Sequence, residues 1–175
     1  MSRLVIGCYH ALGYELIHRW LEEGEEIVGV PLALNAQKEF LSYFFGRNAH
    51  FQEVSIQHVS EDVDIVVVND LDEQTPNLDI IEQIEANQYV LLTNEDKERE
   101  GWTIVTLPSL YGAWVYGVEP DQHSWDLEEV ADRLMEFFEK GSIPTFHEET
   151  RRIEPSDGIR KWKAHQQRYP TYYEF

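Results

Sequence analysis

Residues 4–30, LVIGCYHALGYELIHRWLEEGEEIVGV, constrain the fold more than any other stretch of the chain. An apolar run ends at Gly7 and a tight turn follows. Leu12, Leu16, Ile17, Trp20 and Leu21 then recur at helical spacing, which predicts a helix over about 11–23, with His18, Arg19, Glu22 and Glu23 on its wet side. Gly24 stops the helix, and residues 27–30 read as a second buried strand. Strand, helix and strand in this order make a βαβ unit and predict a parallel sheet. The short glycine turn leaves the free N–H groups of the helix N-terminus pointing at the end of that sheet, where an anion is favoured.

The remaining chain repeats the theme. Phe40, Leu41, Phe44 and Phe45 predict a short helix closed by Gly46, and the alternation over 51–56 predicts a half-buried edge strand. DIVVVN, residues 64–69, is a continuous β-branched run expected at the middle of the sheet, covered on both faces. Asn69, Asp70 and Asp72 sit at its C-terminal end, where ligands of open α/β sheets collect; the competing use of such residues is loop capping. Thr75 and Pro76 predict the start of a helix buried through Leu78, Ile81 and Ile84, with Ile80 a further candidate for that face. YVLLT (89–93) and WTIVTL (102–107) read as two more strands. Ser124 or Asp126 caps a long helix reaching Lys140 and ended by Gly141, and Ser156 starts a short one reaching Arg168. Residues 1–140 are expected to form the α/β body and 141–175 an extension packed on it or on a second subunit, all within one structural domain.

Composition narrows the function. The formal charge is −19, and residues 1–140 hold 8 Lys and Arg against 28 Asp and Glu. Such a body repels nucleic acid and anionic membranes and suits a basic protein partner. One cysteine, Cys8, excludes an internal disulfide and fits a reducing compartment, so a cytoplasmic location is expected. No apolar run reaches membrane-spanning length. The seven histidines form no zinc-binding spacing, no GxxxxGK[ST] phosphate loop occurs, and no GxSxG elbow is present.

The opening turn is similar to that of the extended short-chain dehydrogenase/reductase family, the NAD-dependent epimerases and dehydratases of nucleotide sugars. Their GxxGxxG is met here by Gly7, His10 and Gly13, with the central glycine replaced. Where the family carries an acidic residue for the ribose hydroxyls, this chain has Pro31. Thr93 matches the family's catalytic Ser or Thr. The family then carries a Tyr and a Lys four residues apart on a helix, whereas here only NEDKEREG separates the two strands, with Lys97 and no tyrosine. Eight residues are expected to form a single helical turn or an antiparallel hairpin. TIVTLPSLYGAW resembles the substrate-loop segment, with Leu107, Pro108, Tyr111 and Gly112 matching, and DLEEVA resembles a later family helix.

The resemblance implies a Rossmann-like, doubly wound, mostly parallel sheet with helices on both faces and a truncated C-terminal part. It implies NAD or NADP as cofactor, no metal, and cofactor-binding positions at Gly7, His10, Gly13 and Asn69. Without the Tyr/Lys proton relay, the expectation is a non-catalytic protein that binds a nucleotide-type ligand, a protein partner or a second copy of itself. The alternative is an active NAD(P)-dependent oxidoreductase or epimerase with an atypical acid/base, for which Thr93 and Tyr111 are the candidates. Tyr111, Trp114 and Tyr116, in a loop with Gly112 and Gly117, form an aromatic cluster suited to stacking on a flat ligand or to packing on the sheet rim.

Overall fold

A computed structural model describes residues 2–59, 62–71, 74, 76–116 and 119–173. The chain divides into two compact units, Met1–Thr106 and Leu107–Phe175, so the long helix after Asp126 groups with the tail.

The first unit is a six-stranded, wholly parallel sheet. Strands β1 (Ser2–Ile6), β2 (Glu26–Val30), β3 (Phe51–Glu53), β4 (Val63–Asp70), β5 (Ala86–Thr93) and β6 (Trp102–Thr106) lie in the order β3-β2-β1-β4-β5-β6. This is the Rossmann-like order, and β1 and β4 flank its switch point. Helices α1 (Ala11–Glu22) and α2 (Ala36–Phe45) connect β1 to β2 to β3. The register pairs Leu4 with Val28 and Val66, and Ile6 with Val30 and Val68, so these side chains share one face. Ile81, from the β4–β5 connection, joins that cluster. Arg3 faces the other way and stacks on Trp20 of α1, 4.5 Å from its ring centroid.

Four local expectations change. The strand after α2 stops at Glu53, and Ile56 lies in a 3-10 turn. The helix expected after Thr75 is a single turn, α3 (Leu78–Ile81), whose cap is Asn77; Thr75 and Asp72 lie outside the described residues. The β5–β6 connection is neither hairpin nor helix but an extended strap over 94–101 between parallel strands. The register requires the chain to return about 13 Å along the sheet and about 5 Å across it, and eight extended residues reach about 26 Å. Arg99 anchors the strap to α3 through Glu82 and Asp79, each at 2.5 Å, and Trp102 Nε1 donates to Glu82 at 2.7 Å. The fourth change is at the tail, where the helix to Arg168 begins at Pro155 with Glu154 as cap and is 14 residues long.

In the second unit, β7 (Leu110–Tyr111) pairs with β8 (Trp125–Asp126), and α4 (Leu127–Lys140) follows. Asp126 caps α4 by accepting from Glu128 N, and Gly141 ends it in the left-handed region at φ +81°. Helix α5 (Pro155–Arg168) folds back on β7: a methyl group at Gly158 would collide with the phenol of Tyr111. Trp114 meets His165, Tyr169, Tyr172 and Tyr173, and its backbone N–H donates to Tyr173 Oη at 2.6 Å. Trp114 therefore packs against the tail of its own unit, and Tyr111 lies beside Trp162 of α5. No helix among the described residues is long and apolar enough to cross a membrane.

Candidate functional site

The turn after β1 assembles four of the sequence-predicted positions. Gly7 adopts φ +78°, and its N–H donates to Val30 O at 2.9 Å. A side chain at Gly7 would meet Asn69 Cβ at 3.1 Å and Asn69 O at 3.2 Å; one at Gly13 would meet Gly7 O at 2.5 Å and Asn69 Nδ2 at 3.3 Å. Close packing of α1 on β1 and β4 thus requires both glycines. His10 is the N-cap of α1, its Nδ1 accepting from Leu12 N at 3.3 Å and facing Asn69 Nδ2 at 3.1 Å. Acceptance from Leu12 N uses the lone pair of Nδ1, which places the ring hydrogen on Nε2. Asn69 is fully buried, and its Oδ1 has no hydrogen-bond partner.

The neighbouring Cys8 is buried, and burial pushes its thiol well above the ordinary range. It is therefore a packed, protonated thiol rather than a nucleophile.

At the ends of β4 and β5, Thr93 Oγ1 donates to Asp70 Oδ2 at 3.3 Å and accepts from Glu95 N at 3.2 Å. Lys97 Nζ donates to the same Asp70 oxygen and lies 3.2 Å from Glu95. The hydrogen bond to Asp70 raises the Lys97 pKa, so the ammonium is held charged. Thr93 thus shares a carboxylate with an ammonium, where the resembled family pairs a phenol with one.

Tyr111, the other acid/base candidate, belongs to the second unit. Its side chain is fully buried, its hydroxyl has no hydrogen-bond partner, and burial, with Asp126 and Glu129, pushes its pKa up to about 12. A phenol covered by Gly158 and unable to ionise near neutrality is a poor proton relay.

Sequence reasoning missed a concavity of about 470 Å³ at the C-terminal ends of β1, β2 and β3. Ile6, Val30, Leu32, Val54, Ile80 and Ile81 give it apolar walls, and Ser55, Gln57, Gln74 and Asn77 add uncharged hydrogen-bonding groups. Glu53 is the one charged residue among the described lining. The signal was present in the position of these segments, immediately beyond strand ends, but their composition is that of ordinary loops.

A dinucleotide is met unevenly by these residues. The cavity has the size and lining for a nucleoside, with apolar walls for a flat base and amides for its edge. The phosphate cradle is less ready, because the Leu12 N–H already serves His10 and no Lys or Arg is among the described residues of the cavity wall. No group of three or more His, Cys, Asp or Glu among the described residues is arranged to hold a metal ion.

What fold and site define is a Rossmann-like α/β domain with an open cavity beside its glycine turn. No protein-family model matches the chain, and no curated protein matches it. Solved structures do. Gre2 from Candida albicans in complex with NADPH is 9% identical, with a TM-score of 0.54 over 80% of this chain and 75% of that one. A second structure of Gre2 from the same organism is 10% identical, with a TM-score of 0.55 over 81% and 74%. Yeast methylglyoxal/isovaleraldehyde reductase Gre2, complexed with NADPH, is 18% identical over 53% of this chain, at a TM-score of 0.42. The present chain spans 37% of that yeast protein. At these identities the likeness is one of fold: the chain shares its Rossmann-like architecture with Gre2 from Candida albicans.

Proposed function

We propose that this protein is a shortened, non-catalytic relative of the NAD(P)-dependent short-chain reductases that binds a nucleotide-type ligand. The nucleoside end lies in the cavity beyond β1–β3, and the rest of the ligand runs past Gly7, His10 and Gly13 toward Asn69. The observation that carries this reading is the position of the cavity: it opens at the carboxyl ends of parallel strands, bordered by Ile6 next to the Gly7 turn. NADPH is bound by Candida albicans Gre2, so NADP and NAD are the first ligands to try.

The absence of chemistry rests on the proton relay. Thr93 and Lys97 converge on Asp70, and the Tyr111 phenol is covered by α5. A ligand held here is sensed, stored or presented rather than reduced. The buried thiol of Cys8 is compatible with a cytoplasmic setting.

A second reading has one observation in its favour: the Thr93, Asp70 and Lys97 cluster is a polar, charged group at the strand ends where reductases work. It makes the protein an NAD(P)-dependent oxidoreductase or epimerase in which the Lys97 ammonium serves as the general acid. Thermal melting with adenosine, ADP, NAD(H) and NADP(H), alongside nicotinamide absorbance with aldehyde and nucleotide-sugar substrates, separates the readings. Saturable stabilisation without turnover supports the first, and turnover abolished by Lys97→Ala supports the second.

A further inference from the structure

Helix α2 turns aromatic side chains outward. Tyr43 is 79% exposed and Phe44 56% exposed, and the half-buried Phe40 meets Phe44 edge to face with centroids 5.2 Å apart. Leu41 and Phe45 of the same helix are buried, so the outer aromatics are additional to the core-facing stripe. Concavities flank this ridge. One of about 220 Å³ lies between α1 and α2, lined by Tyr14, His18, Phe44 and Glu22 among others. The other, about 400 Å³, is bordered by Tyr9, Tyr43, Phe51, Arg47 and Glu53. A ridge of large aromatics between two grooves is the form of a docking surface, since Tyr43 and the outer part of Phe44 leave most of their rings in water.

The charge around the ridge selects the occupant. Glu22, Glu39 and Glu53 surround it with Arg47 as the cation between them, and residues 1–106 hold 6 Lys and Arg against 20 Asp and Glu, a net −14. We infer that the α2 ridge docks a segment of a partner protein that carries apolar anchors flanked by lysine or arginine. A second copy meeting it symmetrically would set Glu39 and its neighbours against themselves. Anionic membranes are repelled by the same field.

The test is a chemical-shift titration of isotope-labelled protein with a helical peptide bearing leucine and tryptophan anchors and lysine flanks, beside a twin with glutamate flanks. The expected result is saturable binding of the lysine peptide mapped to α2 and the two grooves. Binding weakens at least tenfold in Tyr43→Ser/Phe44→Ser, whose side chains lie at the surface, and several-fold in Glu39→Gln. Shifts scattered over the acidic surface, equal binding of both peptides, or binding unchanged in the variants overturns the inference. So does a concentration-dependent dimer lost in the double serine variant, which makes a second copy the occupant. None of these outcomes bears on the nucleotide reading, which uses the cavity beyond β1–β3.

Discussion

Asn69 Nδ2 lies 3.1 Å from Nδ1 of His10, joining the end of β4 to the N-cap of α1 across 59 positions of sequence. The imidazole thereby occupies the helix N-terminus where a glycine would leave the backbone open to phosphate. His10→Ala removes the cap and the partner of a buried amide together, and is expected to lower the unfolding free energy by about 1–2 kcal/mol in urea denaturation. His10→Gly costs less, because glycine is tolerated at an N-cap. It should also tighten ADP relative to adenosine, by freeing the Leu12 N–H. Equal ADP affinity in wild type and His10→Gly would show that the imidazole does not guard the cradle.

Tyr111 and Gly158 make a second close pair. Tyr111→Phe removes a buried hydroxyl that has no partner, so it should leave stability unchanged or raise it by up to about 1 kcal/mol. Gly158→Ala forces a methyl group into the phenol and should cost about 1–3 kcal/mol. The double variant Tyr111→Phe/Gly158→Ala should recover part of that loss. Thermal unfolding followed by tryptophan fluorescence reads all three.

Lys97 and Arg99 hold down a connection too short for a helix. Lys97→Ala leaves Asp70, whose side chain is 8% exposed, without its cation, and should cost about 1–2 kcal/mol. Amide hydrogen exchange should accelerate over 94–101 and along β6 before it does so in β1 and β4. Uniform acceleration over the whole sheet would mean that the strap is not a local tether.

Glu82 provides a pH dependence of definite sign. Its hydrogen bonds from Arg99 and Trp102 pull its pKa from 4.5 down to about 2. The folded state therefore holds the proton less well than the unfolded chain. The stabilisation is complete above about pH 4.5 and is lost as pH falls toward 2. Glu82→Gln should remove that part of the acid dependence, so the wild-type and variant stability curves converge as the pH drops. Curves that stay parallel from pH 5 to pH 2 would contradict the assignment.

Much of this fold was legible because its signals were local and mutually consistent. The period of α1, the glycine stop at Gly24 and the β-branched run of β4 each specify one element. The β5–β6 strap was not legible, since a parallel return by extended chain is disfavoured in general and is secured here by Arg99 reaching residues 17 and 20 positions away. The short α3 was missed because Thr75-Pro76 is a sound helix start, while the cap in use is Asn77, two residues on. Gly7, His10, Gly13 and Asn69 could be grouped from strand ends and the turn motif. The closeness of His10 to Asn69 could not, because it depends on how β1 and β4 are aligned. The cavity was invisible for a related reason: Val54, Gln74 and Ile80 approach one another only once the sheet is built.

Calorimetric titration of NADPH into the wild-type protein and into Ile80→Trp tests the central claim most directly, since Ile80 lines the cavity and is 46% exposed. The account predicts saturable binding to the wild type, at least tenfold weakening in the variant with its fold intact, and a cofactor that stays reduced when aldehydes or nucleotide sugars are added. No binding of NADPH, NADH or ADP to the wild type, or equal binding to both proteins, would contradict it.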